Sequence, residues 1–508
     1  MERSATVKTA FVLALMALGT AALSYFFFMN QSLRLDEAQS LWQSSRSPGD
    51  IITLVSQDVH VPLYHELLHF WRVYVGDSVE SARLMSLFFY ILCIPAMYAL
   101  GKLAYGRSVG LFGAFLLSIS PFMNWYGNEI RMYTLLTLFT ILNQYLFIKL
   151  FTRGKLIYGT RESTATWVGY AVTALIGVFV HYFFFLNLLS QIVFYFLRRE
   201  YFPEKSFKNF MLSAGLVAIF IVPWLGFVYL QGQAGFQTPM LPTPSTVNLF
   251  SAFSQFLFGF QNDNVNTIFL SLWPITLIFG FLTLRRSTRV SPASEYLLIA
   301  VLLSVVVAFG VSFIVPVFVS RYLIFTVPAM FLLLSSLFGS YSPGSAKVAR
   351  IGMTVLMVIT LGIEIMSPTT PVKEDYKDAA SYLAHNATPQ DIIILSAPFT
   401  IYPVQYYYRG AAPLTTIPKW NQYSYGGIPP FVAVDLANQV ATATASYQNV
   451  WVLLSYDQGY QTQVQTYFDG HFERLQSKVF SPNLTLYEYR LRYDTGLSVA
   501  ATSTKKTQ

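Results

Sequence analysis

Two adjacent carboxylates, Asp36 and Glu37, stand in the stretch Arg34-Leu35-Asp36-Glu37-Ala38, a few residues beyond the first apolar run. A carboxylate at a membrane surface can take a proton from a hydroxyl as a general base. Neighbours on a helix point about 100° apart, so the pair divides its roles. One faces a substrate, and the other holds structure or a partner Arg. Helix capping competes with this reading, because Asp and Glu also favour a first helical turn.

A second group is Asp58-Val59-His60-Val61-Pro62-Leu63-Tyr64, followed by His65-Glu66-Leu67-Leu68-His69. The last five residues form, formally, the H-E-x-x-H pattern of zinc proteases. No third-ligand motif accompanies them, and an amphipathic helix lying on a membrane explains the same residues. A third group surrounds Glu129 and Arg131 in Trp125-Tyr126-Gly127-Asn128-Glu129-Ile130-Arg131-Met132-Tyr133. Either the two charges pair among interfacial aromatic anchors, or Arg131 faces an anionic group, whose oxygens match the guanidinium fork. Arg321-Tyr322 repeats the arrangement at the end of a later apolar run, where an Arg can also snorkel. His181 lies between two short apolar runs, as a hydrogen-bonded interface residue or as a ligand.

These side chains need elements to position them, and the composition says which solvent those elements meet. Of 508 residues, 54% are hydrophobic and only 11% charged. A soluble domain carries about 25% charge. The deficit excludes a disordered chain, a disulfide scaffold and an ordinary soluble enzyme. The single cysteine, Cys93, lies in an apolar run and reads as packing. A span takes about 20 apolar residues. Eleven stretches are candidates: 9–29, 83–101, 109–123, 132–150, 166–180, 183–197, 210–230, 267–284, 296–316, 322–338 and 350–367. The pair within 166–197 reads as two short helices or one broken one.

Lys and Arg sort by side. Seventeen fall in one alternating set of loops and six in the other, outside the C-terminal tail. By the positive-inside rule the N-terminus is cytoplasmic and the tail extracytoplasmic. The net charge of +8 is then topology, and nucleic acid is not expected as a partner. The expected layout is a transmembrane module over 1–367, whose external loop 30–82 carries amphipathic helices. An extracytoplasmic soluble domain over 368–494 and a disordered tail over 495–508 follow. In the soluble domain Asp375–Ala384 reads as an amphipathic helix, and Ile392–Leu395 and Val450–Leu454 as strands, giving a small α/β or α+β fold.

Taken together, the motifs resemble the polyprenyl-phosphate-sugar-dependent glycosyltransferases of the GT-C class, family 39 and its mannosyltransferase-like relatives. The resemblance is carried by Leu35-Asp36-Glu37-Ala38, Asp58–Tyr64, Gly76-Asp77-Ser78, Ala82-Arg83-Leu84, Ser120-Pro121, Tyr126–Tyr133, His181-Tyr182 and Ser320-Arg321-Tyr322 with Pro328. It spans about residues 9–370 and extends more weakly into the tail. It implies a polytopic α-helical membrane protein of the GT-C fold with about eleven spans. It also implies an integral protein of the cell or cytoplasmic membrane that uses a polyprenyl-phosphate-linked sugar donor. The sugar, a hexose such as mannose, would pass with inversion to a glycan, lipid or protein hydroxyl outside the membrane.

In this family's terms Asp36 is the catalytic base and Glu37 its supporting partner. Arg131, Arg321, His181 and Tyr322 would bind the donor phosphate. Arg34, Asp58, His60, Glu129 and Tyr133 would support the substrate site. The family includes members with a divalent metal near the phosphate. Asp58, His60 and His181 would be the candidate ligands here, and the residues do not decide metal dependence. The alternative class is a polytopic transporter or lipid-linked-sugar flippase without covalent chemistry. Such proteins often show inverted repeats, and none is visible in this sequence.

Overall fold

The computed structural model describes residues 2–58, 60–151, 163–232, 243–271, 291–367, 374–423 and 427–491. The chain divides into two compact units. One comprises residues 1–31, 39–372 and 425–427; the other comprises 32–38, 373–424 and 428–508.

The first unit is helical. Its elements are α1 (Glu2–Phe27), α2 (Leu35–Ser44, whose first residues group with the second unit), α3 (Pro48–Ser56), α4 (Leu63–Tyr74), α5 (Val79–Tyr105), α6 (Arg107–Ile119), α7 (Pro121–Gly127) and α8 (Tyr133–Lys149). Then come α9 (Thr164–Val180), α10 (Phe184–Leu197), α11 (Ser206–Gly232), α12 (Thr246–Phe258), α13 (Asp263–Ser271), α14 (Pro292–Val311), a 3₁₀ segment Ser320–Thr326 leading into α15 (Val327–Gly339), and α16 (Pro343–Met366).

Among the described residues six helical stretches are long and apolar enough to cross a membrane: α1, α5, α11, α14, α15 with its 3₁₀ lead-in, and α16. The pair α6 and α7, bent by 60°, would make a seventh. The stretch 109–123, expected as one span, therefore breaks at Ser120-Pro121. The stretch 166–197 resolves into two separate helices, α9 and α10, with His181–Phe183 between them. Most of the expected span 267–284 lies outside the described residues.

Serine followed by proline starts several of these helices. Ser47, Ser120 and Ser291 each cap a helix whose first residue is proline, and each accepts a backbone N–H three residues on. Serine satisfies an orphan donor there, and proline loses nothing at the first helical position. Helices α5 and α6 meet backbone to backbone: a Cβ on Gly101 would come within 2.6 Å of Gly110 Cα. Small residues permit such close approach in a bundle.

The second unit is a five-stranded sheet of order β2-β1-β3-β5-β4. Its strands are β1 (Asp391–Ser396), β2 (Leu414–Thr416), β3 (Asn449–Ser455), β4 (Glu473–Ser481) and β5 (Leu484–Arg490). The first three pair in parallel and the last two antiparallel. Four helices accompany them: α17 (Tyr376–Asn386), α18 (Ile401–Tyr407), α19 (Leu436–Thr444) and α20 (Gln461–His471). Alternation along the strands builds two cores. Ile393, Leu395, Trp451 and Leu453 pack with Tyr376, Ala379 and Leu383 of α17. Ile392, Ile394, Val450 and Val452 face Val440 of α19 and Val464 and Phe468 of α20. The expected strands are β1 and β3, and the expected helix is α17, capped by Asp375.

Arg83, on α5, ends α1. Its Nη1 donates to the carbonyls of Met29 at 2.8 Å and Gln31 at 2.7 Å, and the side chain is buried. A guanidinium here meets carbonyls just past a helix C-terminus, where the helix dipole also favours a cation. Arg83→Ala is expected to lower the unfolding free energy by about 2 kcal/mol, the scale of charge-assisted hydrogen bonds lost from buried acceptors. Thermal unfolding in detergent measures it, with Leu84→Ala, on the exposed side of the same turn, staying near wild type.

Candidate active site

In the helical unit, α2, the α3–α4 connection and the α7–α8 turn bring a polar chain together. Arg131 follows the α7 turn and is 3% exposed. Its Nη1 donates to Ser40 Oγ at 3.1 Å, and its Nη2 contacts His60 Nε2. A guanidinium has only donors, so His60 Nε2 is the acceptor and the imidazole proton sits on Nδ1. That nitrogen lies 3.6 Å from Asp58 Oδ1. The other Asp58 oxygen accepts from Gln39 and Gln43, each at 3.0 Å. The two glutamines are four residues apart on α2 and so share a face.

The loop carrying Arg131 is fixed from behind. Ser86 donates to the Glu129 carbonyl at 2.7 Å, and Asn124 donates to the carbonyls of Ser118 and Ser120 across the α6–α7 break. Asn128 contacts Ser24 and donates to the Asn124 carbonyl at 2.9 Å. Gly127 has no substitute here, since a Cβ would come within 2.5 Å of the Tyr90 ring. Glu129 is 4% exposed.

Other expected residues border this chain. Tyr133 lies in the field of both Arg321 and Arg131, and His181 in that of His60 and Arg131. The His181 and Tyr322 rings are 5.4 Å apart, and the Arg321 guanidinium lies 5.6 Å from the Tyr322 ring centre. His181 Nδ1 accepts the Phe183 N–H at 3.1 Å.

In the second unit, Asp36 and Glu37 open α2. The Arg34 N–H donates to Glu37 Oε2 at 3.0 Å, which closes the helix N-terminus with a carboxylate,. Glu37 is buried and Asp36 half-buried. The segment before them is held by the same unit: Lys377 N–H donates to Ser32 Oγ at 3.1 Å, and Leu33 N–H to the Tyr407 hydroxyl at 3.0 Å.

The family model described as dolichyl-phosphate-mannose-protein mannosyltransferase matches residues 60–227. That range takes in His60, Arg131 and His181. Among solved structures the chain is similar to ArnT from Cupriavidus metallidurans in the apo state, at 13% identity and a TM-score of 0.61 over 96% of this chain and 98% of that one. It is similar also to ArnT from the same organism bound to undecaprenyl phosphate, at 12% identity and a TM-score of 0.57, over 96% and 98% of the two chains. The chain shares the fold of these two structures. The arabinofuranosyltransferase AftD from Mycobacteria aligns too, at 14% identity and a TM-score of 0.53, over 95% of this chain and 40% of that one. No curated protein matches.

Among the described residues no three His, Cys, Asp or Glu side chains gather as a metal site. Of the candidate ligands, His60 presents Nε2 to a guanidinium and His181 gives Nδ1 to a backbone N–H. A cation held by His60 would also meet the charge of Arg131. The set does not fit a metal. Nor does H-E-L-L-H gather one: His69 Nδ1 lies 3.0 Å from the Ser44 carbonyl, and His65 is fully buried.

Several polar partners escaped the sequence reading. Ser40, Gln39 and Gln43 were recognisable only as one polar face of α2. Glu364, a carboxylate within α16, accepts the Phe260 N–H at 2.7 Å and so fixes the turn after α12. Its signal was its charge inside an apolar run.

His65, on α4, is fully buried. Burial, then neighbouring His60 and Arg131, push its imidazole down to about 3. A histidine lowered from 6.5 stabilises the fold fully above that pH, and the contribution is lost as pH falls toward the folded value,. Between pH 6.5 and 5 the wild type is expected to lose about 2 kcal/mol that His65→Gln does not lose. Chemical unfolding of both proteins at the two pH values checks this.

Proposed function

We propose that this chain is a membrane glycosyltransferase that moves a sugar, a hexose such as mannose, from a polyprenyl-phosphate donor to an acceptor hydroxyl on the extracytoplasmic side. The observation that carries the reading is the chain from buried Arg131 through His60 to Asp58, set in a fold shared with a protein whose solved structure holds undecaprenyl phosphate. The membrane module is read as residues 1–367 with about eleven spans and a cytoplasmic N-terminus. The extracytoplasmic domain is read as 368–494, with 495–508 as a tail. Charge sorting by loop supports that orientation.

Asp36 accepts the proton of the acceptor hydroxyl as its oxygen attacks the anomeric carbon. The bond from that carbon to the phosphate oxygen breaks, and polyprenyl phosphate leaves with the electron pair. Attack opposite the leaving group inverts the anomeric centre. Phosphate is a good leaving group, so no general acid is needed. Positive charge is needed as the bond breaks. Arg131 and Arg321 supply it, with His181 and Tyr322 beside them. His60 and Asp58 hold the Arg131 fork in one orientation, Glu129 and Tyr133 complete its surroundings, and Glu37 and Arg34 hold the start of α2. Acceptors in reach of this chemistry are protein, lipid or glycan hydroxyls.

Asp36→Asn keeps shape and removes the base. Transfer in membranes supplied with a polyprenyl-phosphate sugar is expected to fall by about 10²–10⁴-fold. Arg131→Ala is expected to lower kcat by about 10²–10³-fold, and Arg131→Lys to recover little, because an ammonium cannot reproduce the fork. Unchanged turnover in Asp36→Asn would remove the base assignment.

A further inference from the structure

One buried carboxylate outside the residues so far assigned lies in the neighbourhood of Asp36. Glu374 leads into α17 and is 7% exposed. The Tyr456 hydroxyl donates to it, while Glu374 Oε2 makes no hydrogen bond. The segment before Arg34 is tied to the same helix, since Lys377 N–H donates to Ser32 Oγ at 3.1 Å, and both Arg34 and Asp36 act on Glu374 electrostatically. Its backbone is clamped from the C-terminal side: Asp375 N–H donates to Ser481 Oγ at 3.1 Å, and the Tyr376 hydroxyl pairs with Ser455 Oγ at 2.9 Å. Tyr456, the first residue past β3, holds φ at +54°, a left-handed backbone that costs a bulky residue energy,. A buried carboxylate oxygen without a donor is also costly. Stability alone would favour removing both features.

We propose that Glu374 is a positioning residue for sugar transfer: it holds the Arg34 side chain in place beside Asp36, and so sets how the Asp36 carboxylate meets the acceptor hydroxyl. The inference rests on the transferase reading. The groups facing Glu374 are Arg34 and Asp36 at the start of α2, Tyr376 on α17 and Tyr456 after β3. Burial lifts the Glu374 carboxyl above its ordinary range; Arg34 and the Tyr456 hydroxyl pull it back in part, and Asp36 lifts it further. A carboxyl raised on folding favours the fold at low pH, and that contribution is lost as pH rises through the folded value. A merely structural carboxylate would weaken the protein when neutralised. Glu374 is expected to do the reverse at alkaline pH.

The test is Glu374→Gln, which keeps the shape and removes the charge. At pH 8 the variant is expected to unfold a few degrees above wild type, a gain that disappears near pH 4, and to transfer sugar about tenfold more slowly. The donor KM is expected to stay within about twofold. Glu374→Asp should recover part of the rate, and Tyr456→Phe should slow transfer less than Glu374→Gln. Wild-type turnover in Glu374→Gln overturns the proposal, as does a rate loss matched by lower stability at pH 8. Asp36→Asn, assayed alongside, separates the two failures. If it abolishes transfer while Glu374→Gln does not, only the positioning role falls. If wild-type protein makes no product, the transferase reading falls and this role with it.

Discussion

A guanidinium in a protein does not give up its proton, and Arg131 carries one almost wholly out of water,. Burying such a charge is tolerable only with well-aimed acceptors. That constraint reaches through the helical unit. Ser40 and His60 present acceptors, which fixes the tautomer of His60 and turns its proton toward Asp58. Asp58 in turn needs donors, and Gln39 and Gln43 on one face of α2 provide them. On the other side the chain must break between α7 and α8, so that Arg131 emerges from a short turn and not from the middle of a helix. Gly127 and the Asn124–Asn128 bonds are what that break requires.

Much of this architecture is visible in the sequence because the bilayer imposes a coarse code. Apolar runs mark α1, α5, α11, α14 and α16 with ends up to seven residues off, and the strands β1 and β3 stand out as β-branched and aliphatic runs between turns. The broken span was less legible. Ser120-Pro121 signals both the end of one helix and the start of another, and only packing against Tyr90 decides that the second is a short one. The polar residues of the site were legible as types near membrane ends, since charges beside hydrocarbon are rarely idle. Their pairings were not. Arg131 meets Ser40 and His60 because tertiary packing selects these partners, and no spacing rule connects positions so far apart.

Glu37 and Arg83 illustrate a second kind of outcome. Both lie in motif-like stretches, and each has a structural task that its position explains: Glu37 closes the N-terminus of α2, and Arg83 collects the carbonyls after α1. Asp36, roughly a third of a turn away from Glu37, lies on another face of the same helix. Glu374 could not be found from sequence, because its meaning comes from the Arg34–Asp36 segment and Tyr456, which the fold of the second unit brings to it.

Covalent sugar transfer with inversion is the chemistry proposed for this chain. Its most direct measurement supplies purified, reconstituted protein with a polyprenyl-phosphate sugar of defined anomeric configuration and a pool of hydroxyl acceptors. Mass spectrometry then follows the lipid, and NMR the new linkage. One polyprenyl phosphate is expected to be released per sugar transferred, with a linkage of the opposite anomeric configuration. Donor that crosses the bilayer chemically unchanged, or a product that retains the donor's configuration, would contradict it.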